Sequence, residues 1–383
     1  MTGGTTVIVT GSTGFLGGFL TAALLRRGCR VISLVRPRNG STPWQRMGRL
    51  MDFFGLRPGD DLEVVEAYLD EPGLGITEEL AGDLRERADH IFHCAADTSF
   101  AARRSDEVLR TNVQGLMNVY GILSGSSHFH HMSTAYAAGA REGTCMERLE
   151  ETGAFHNDYE RSKHIAEVEI TGACRRDGTR LSIYRPSIVY GDSVTGRSLR
   201  FSALYYPVRI LLFLRDGFIR DIRERGGSRA EELGVSMGPD GSVTMPMTIP
   251  HREGWMNLIP VDHLVRTIME LMSSGAEGIF HIVNHRQNTL DDLLDLIGDH
   301  FGLDGISSVT GDRPGGPTPL EVLLDGYIKL YYPYMTDRRR FDDSGTRKRL
   351  DGMDLVCPQL DAASFGRCMD YAVEMEWGSR LRI

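Results

Sequence analysis

TVIVTGSTGFLGGFLTAALLRRG, residues 6–28, carries three signals in a row. Val7, Ile8 and Val9 form a short apolar run fit for a buried parallel strand. Gly11, Gly14 and Gly17 follow at G-x-x-G-x-x-G spacing. Phe19, Leu20, Ala23, Leu24 and Leu25 then recur at helical period, and Gly28 stands where a helix would end. Strand, glycine turn and helix together are the context that gives a dinucleotide fingerprint its weight. The first glycine permits the tight turn, and the second lets the backbone approach a pyrophosphate. The third lets helix and strand pack closely, while the helix N-terminus offers free N–H groups to the anion. The turn Gly11-Ser12-Thr13-Gly14-Phe15-Leu16-Gly17 is therefore the expected cofactor cradle.

Outward from this unit, Arg30–Val35 (RVISLV) reads as a second strand. The end of that strand meets the adenosine ribose in a dinucleotide fold. An acid there would bind the 2′-hydroxyl, but the sequence has LVRPR, and Arg36 suits a 2′-phosphate. The cofactor expected is NADPH. Residues 41–60 read as helix and then turn, Leu62–Val65 as a third strand, and Thr77–Ala88 as a polar helix. Asp89–Ala96 (DHIFHCAA) is a fourth strand whose small end residues leave room for cofactor against backbone. Val108–Leu123 is helical and contains Asn112, and His128–Ser133 is a fifth strand. Asp158–Cys174 is a long helix, and Leu181–Tyr184 is a further strand. This alternation predicts a Rossmann-type, doubly wound parallel α/β sheet.

Periodicity weakens after Gly191. An apolar helix is expected near 201–214, then a glycine- and charge-rich loop from Gly226 to Gly254. Regular structure resumes through Val261–Met272, Ile279–Val283 and Leu290–Phe301. The expected division is an NADP-binding Rossmann domain over residues 1–192, with returning segments near 255–285. Residues 193–383 would mainly form a smaller mixed C-terminal substrate lobe.

The 383 residues are long for one compact core, and 41% apolar with 25% charged residues is ordinary globular composition. A net charge of -9 argues against a nucleic-acid surface. The cysteines are scattered without a C-x-x-C pair, and the first strand begins too early to leave room for a targeting segment. Phe201–Leu214 contains Arg209 and is too short to span a bilayer. A cytoplasmic protein with no transmembrane segment is expected. His130 and His131 are neighbours on a strand and point to opposite faces, with no third ligand nearby, so no metal is expected.

Tyr159 and Lys163, in YERSK, lie one helical turn apart on one face. A phenol with a pKa near 10 is a poor acid–base group at neutral pH. An ammonium close by would favour the phenolate and lower that pKa. Ser133 and Thr134, at the end of the fifth strand, would place a hydroxyl beside the same cleft, where it could donate to a carbonyl oxygen as charge builds there.

The ordered set TGSTGFLG, HCAA, NVQG, MSTAYAAG, YERSK and YRPSIVYG resembles the extended short-chain dehydrogenase/reductase superfamily. The resemblance implies a catalytic set of Thr134, Tyr159 and Lys163. Thr134 is preferred to Ser133 because it stands five residues before Gly139. Asn112 matches the helix asparagine that supports a water relay to the lysine. Gly11, Gly14 and Gly17 would bind pyrophosphate, Ala95 and Ala96 would line the nicotinamide ribose, and Pro186, Ser187 and Val189 would meet the nicotinamide. Within the superfamily, GFLG with LVR, HCAADTSF, STAY and RPSIVYGDSVTG are most similar to the thioester-reductase and fatty-acyl-reductase branch. WMNLIPVDHLV and YYPYMTDRRRFDDSGTRKRL resemble C-terminal segments of that branch. Two positions depart from the pattern. Ala67-Tyr68-Leu69 replaces the usual Gly-Asp-Leu, which leaves Leu69 on the adenine side without its aspartate, and Cys94 replaces an asparagine.

The resemblance implies NADPH-dependent reduction of an acyl thioester, on an acyl carrier protein or coenzyme A, to an aldehyde or onward to an alcohol. Phe201–Leu214 would either wall an acyl site or fill the lobe core. The alternatives are a ketone/3β-hydroxysteroid-type dehydrogenase, a nucleotide-sugar epimerase or dehydratase, and a cofactor-sensing regulator with an inactive site.

Overall fold

The computed structural model describes residues 4–125 and 127–381. Seven parallel strands form its main sheet: β1 (Thr6–Thr10), β2 (Arg30–Val35), β3 (Leu62–Glu66), β4 (His90–His93), β5 (His128–Met132), β6 (Leu181–Pro186) and β7 (Gly278–Ile282). They run in the order β7-β6-β5-β4-β1-β2-β3. The order reverses between β1 and β4, so the crevice at their carboxyl ends is the ligand position of an open α/β sheet.

Alternation along each strand fills both faces. Val7, Val9, Val31, Phe92 and Met132 pack on one side against α1 (Phe15–Arg26) and the helix Val261–Ser273. Ile8, Ile32, Ile91, Phe129 and Ile183 pack on the other against Gly115–Leu123 and the helix α2 (Asp158–Asp177). Asn157 caps α2 by accepting from Glu160 N, and Gly178 ends it at φ 71°. Tyr159 thus lies in the first turn of α2, with Lys163 and Glu167 at successive turns below it.

The helix expected over 108–123 starts at Ser105 and is interrupted by a π segment, Arg110–Gln114, which holds Asn112. The expected loop from Gly226 to Gly254 requires correction. It contains the short helix Ser228–Glu232 and the strand Val243–His251, which pairs in parallel with Leu303–Thr310. Pro246 and Pro250 hid this strand, because proline cannot donate to a ladder; the register shifts between Thr244 and Met247, around the first of them. These strands pack with Tyr205–Glu224, which supplies Val208, Leu211 and Leu214, in a second core. The chain also returns to the Rossmann unit, where Leu258–Pro260 pairs with Ile188–Tyr190. Among the described residues no helix is long and apolar enough to cross a membrane.

Candidate active site

A continuous cleft of about 720 Å³ opens at the carboxyl ends of β1 and β4. Gly11 has φ 68°, and a Cβ there would lie 2.5 Å from Ala95 N. A Cβ on Gly17 would lie 2.3 Å from Gly11 O. These two glycines therefore let the turn, α1 and the loop after β4 approach one another, as the sequence predicts. Among the described residues no side chain caps α1, and no acid lies in its first turn, leaving its N-terminal amides to face the cleft. The pyrophosphate of a dinucleotide fits this cradle.

The adenosine end is crowded with cations. Arg36, Arg38 and Arg46 line it with Leu69 and Asp70. Arg46 is buried, donating through Nη1 to Arg36 O (2.7 Å) and through Nη2 to Thr13 Oγ1 (2.6 Å). Burial, then Arg38, Arg36 and Arg49, pull its pKa down from the usual guanidinium range. Among the described residues none of Arg36, Arg38 and Arg46 has a carboxylate in ion-pair contact. A cation cluster without a counter-ion is a site for a dianion. Sequence reasoning found Arg36 but missed Arg38 and Arg46. Arg38 was visible in LVRPR, whereas only the packing of Pro43–Phe54 brings Arg46 across to Thr13.

At the other end Thr13, Gly14, Phe15, Leu16, Cys94, Ala95 and Ala96 give way to Thr134, Tyr159, Lys163, Pro186, Ser187 and Val189, all on the same cleft. Ser133 and Thr134 have different partners. Ser133 Oγ donates to buried Glu167 Oε1 (2.5 Å), while Thr134 Oγ1 donates to Pro186 O and accepts from Tyr136 N (3.4 Å each), and its hydroxyl favours the Tyr159 phenolate and draws that pKa down. Desolvation nonetheless dominates and pushes Tyr159 up to about 12, with Arg200 also lowering it and Glu160 raising it. This corrects the expectation that Lys163 lowers the phenol. Lys163 Nζ instead donates to Met132 O (2.7 Å), and its own pKa falls to about 8 because it is buried, against the opposing pull of Cys94 and Glu167.

Two expected site residues do not line the cleft. Ser12 is fully buried and turns its hydroxyl to Met47 Sδ (3.6 Å). Asn112 is a clamp: Nδ2 donates to Asp97 O (2.9 Å) and Ser162 Oγ (2.8 Å), and Oδ1 accepts from Asp97 N (2.7 Å). It fixes the loop after β4 to α2, and all its direct bonds are committed there.

The third wall is aromatic and apolar. Phe100 stacks on Tyr334 (5.3 Å, 22°) and contacts Tyr159 and Tyr331, and Tyr331 stacks on Tyr206 (5.1 Å, 23°). Leu204 and Pro207 add apolar surface, so the start of the expected apolar helix faces the cleft while its remainder fills the lobe core. Tyr334 is held by its bond to Glu160 Oε1 (2.7 Å), and Arg339 of the same C-terminal segment donates to Gly139 O (2.7 Å). Residues almost two hundred positions apart thus fix the loop that carries Thr134.

The expectation of no third histidine near His130 also fails. His90 and His128 join it at the amino end of the sheet, away from the cleft. The rings of His128 and His130 stack face to face (4.1 Å, 27°), so their in-plane lone pairs do not converge. Both nitrogens of His130 are already bonded, to His90 Nδ1 and Tyr184 Oη (2.9 Å each). This is a hydrogen-bonded stack within the sheet.

The glycine cradle, the switch-point cleft and the Thr134–Tyr159–Lys163 constellation agree with what the sequence of the whole region matches. The chain belongs to the male sterility protein family. That family, an NAD-binding one, matches residues 9–268. It places the chain in the extended short-chain dehydrogenase/reductase superfamily, on the thioester-reductase and fatty-acyl-reductase branch. The chain is 27% identical to fatty acyl-CoA reductase 1 of Gallus gallus over 283 residues, 61% of this chain and 53% of that one. It is also 27% identical to the non-canonical nonribosomal peptide synthetase cpsA of Aspergillus campestris over 208 residues, 50% of this chain and 20% of that one. The chain thus spans about half or less of the length of these curated relatives. Among solved structures, the terminal R domain from the myxalamid PKS-NRPS biosynthetic pathway superposes with a TM-score of 0.76 at 21% identity, covering 98% of this chain and 92% of that one. UDP-glucuronic acid 4-epimerase from Bacillus cereus, in complex with NAD, gives 0.63 at 14% identity, covering 97% and 99%. At these identities the structural likeness speaks for the fold.

Proposed function

We propose that this chain is an NADPH-dependent reductase of an acyl thioester, carried on coenzyme A or an acyl carrier protein. The observation that carries the reading is one cleft with three different ends: an arginine cluster without a carboxylate partner among the described residues, the Thr134–Tyr159–Lys163 set, and an aromatic wall. The arginines suit a 2′-phosphate, the wall suits an acyl chain, and the hydroxyls meet between them. The Rossmann part is read as residues 1–192 with the returning segments, the substrate lobe as mainly 193–383, and the setting as cytoplasmic.

The glycine turn with Arg36 and Arg38 would hold NADPH, which when bound would supply hydride to a thioester carbonyl carbon beside Thr134 and Tyr159. Thr134 and Tyr159 donate to the carbonyl oxygen as negative charge builds on it. The raised pKa of Tyr159 keeps the phenol protonated at neutral pH, which is the form a reduction needs. Tyr159 then gives its proton to the oxygen; the Thr134 hydroxyl favours the phenolate left behind, and Lys163, one turn below, is the cationic partner that returns it a proton. The thiohemiacetal expels its thiol to give an aldehyde, and an alcohol would require a second hydride from a second NADPH. Asn112 keeps the Asp97 loop in place, and Phe100 and Tyr331 keep water from the reacting carbon.

The test follows NADPH absorbance with acyl-CoA, acyl-pantetheine, aldehyde and ketone substrates, with Tyr159→Phe as control. Oxidation that requires a thioester and is lost in the variant supports the reading. Turnover of ketones alone, or of none of the panel, overturns it in favour of a dehydrogenase or a nucleotide-sugar enzyme.

A further inference from the structure

Behind Lys163 lies a buried polar group that the proposed chemistry does not use. His93 ends β4 and His131 stands opposite it on β5. Strand alternation sends both toward the face covered by α2, with Ile91 and Phe129. Their rings lie 5.9 Å apart and 24° from parallel. Both residues are buried, at 1% and 0% exposure. Thr10 Oγ1 meets His93 Nδ1 at 3.1 Å. The other three ring nitrogens, His93 Nε2 and both of His131, have no partner among the described residues.

Lys163 is similarly under-satisfied. Its ammonium carries three N–H groups, and the bond to Met132 O is its one hydrogen bond among the described residues. It reaches the carbonyl of Met132, the residue that follows His131 on β5, and α2 covers the face toward which both imidazoles point, so the three side chains meet in one place. The other groups facing it are the Cys94 thiol at the exit of β4 and Glu167 one turn along α2. Glu167 is already committed, receiving Arg185 through Nε (2.9 Å) and Nη2 (2.5 Å) as well as Ser133. Buried polar atoms are paired in folded proteins, and where protein does not pair them ordered water does. Spare donors on Lys163 and spare nitrogens on two neutral imidazoles are complementary.

We propose that His93 and His131 are positioning residues for Lys163, accepting its spare N–H bonds through ordered water and so holding the ammonium charged beneath Tyr159. The inference rests on the reading of Lys163 as the cationic partner of Tyr159. Burial keeps both imidazoles neutral, so they supply lone pairs without adding a competing charge.

The experiment is a pH titration of Lys163 by NMR in cofactor-free protein labelled with carbon-13 at lysine, for wild type, His131→Leu and His131→Gln. His131→Leu is expected to lower the Lys163 midpoint by about one unit, leaving roughly tenfold less ammonium above it. His131→Gln still accepts from water and is expected to hold the midpoint near its wild-type place. Equal midpoints in wild type and His131→Leu, or an equal fall in both variants, would overturn the proposal. A high-resolution crystal structure of the wild type covers the case in which His131→Leu does not fold. Ordered water joining Nζ to the two rings supports the proposal, and a dry gap refutes it. Neither readout depends on turnover, so a chain that reduced no thioester would refute the function above while leaving this result to be judged separately.

Discussion

Arg36 and Arg38 offer a clean dissection of cofactor choice. Both side chains are exposed and lack a side-chain partner among the described residues, so Arg36→Ala and Arg38→Ala should change folding stability by less than ~0.5 kcal/mol. Their effect should fall on the ligand. A hydrogen bond to a charged group contributes about 1.5–3 kcal/mol, and solvent exposure puts these two at the lower end. Each single variant should therefore weaken NADPH about tenfold, and the pair about a hundredfold if the contacts add. NADH, which lacks the 2′-phosphate, should change less than about threefold. Arg46→Met has a different signature. Arg46 holds Thr13 in the glycine turn as well as Arg36 O, so its loss should weaken both nucleotides. The assay is fluorescence titration of each variant with NADPH and NADH at fixed ionic strength. Parallel weakening of both nucleotides in Arg36→Ala and Arg38→Ala, or no change in either, would refute the assignment of this end of the cleft to a 2′-phosphate.

Other outcomes follow from the same geometry. Tyr159→Phe should lower kcat on the preferred thioester by about 10²–10⁴-fold with NADPH affinity nearly unchanged, read by steady-state kinetics alongside cofactor titration. With Lys163 held at about 8 against an ordinary value of 10.5, the unfolded chain binds more protons between those limits. The Lys163 contribution to stability should then rise as pH climbs through that window while activity falls, and urea melts beside a pH–rate profile measure both. Glu167→Gln leaves buried Arg185 without its counter-charge and should cost about 3–5 kcal/mol in urea denaturation, whereas a loss under about 1 kcal/mol would contradict the buried pair. Gly11→Ala forces a Cβ to within 2.5 Å of Ala95 N at positive φ, and should abolish nucleotide binding or lower the melting temperature by several degrees.

The sequence made local patterns legible and left distant contacts obscure. Strand, turn and helix at 6–28 were readable because each rests on neighbours within about four residues. The strand Val243–His251 was not, because its prolines mimic a loop and its partner, Leu303–Thr310, lies some sixty residues away. Tyr159 and Lys163 were found from their spacing, but the direction of the phenol's shift was misjudged. Spacing reports proximity along a helix, whereas a pKa depends on burial from every side. Arg46, Phe100 and Tyr331 escaped for the same reason, each reaching the cleft from an element whose own pattern is unremarkable.

Thus the sequence alone determined the doubly wound class and the glycine turn, and it put forward a hydroxyl, a phenol and an ammonium as candidates, since backbone geometry and helical period act over short range. The tertiary structure decided which of the two cleft hydroxyls is tied to Glu167, where Lys163 donates and which arginines lack a counter-charge among the described residues. It also brought His93 and His131 together beneath α2. Those properties depend on what the chain leaves unpaired after it has packed, and pairing is a property of the whole fold.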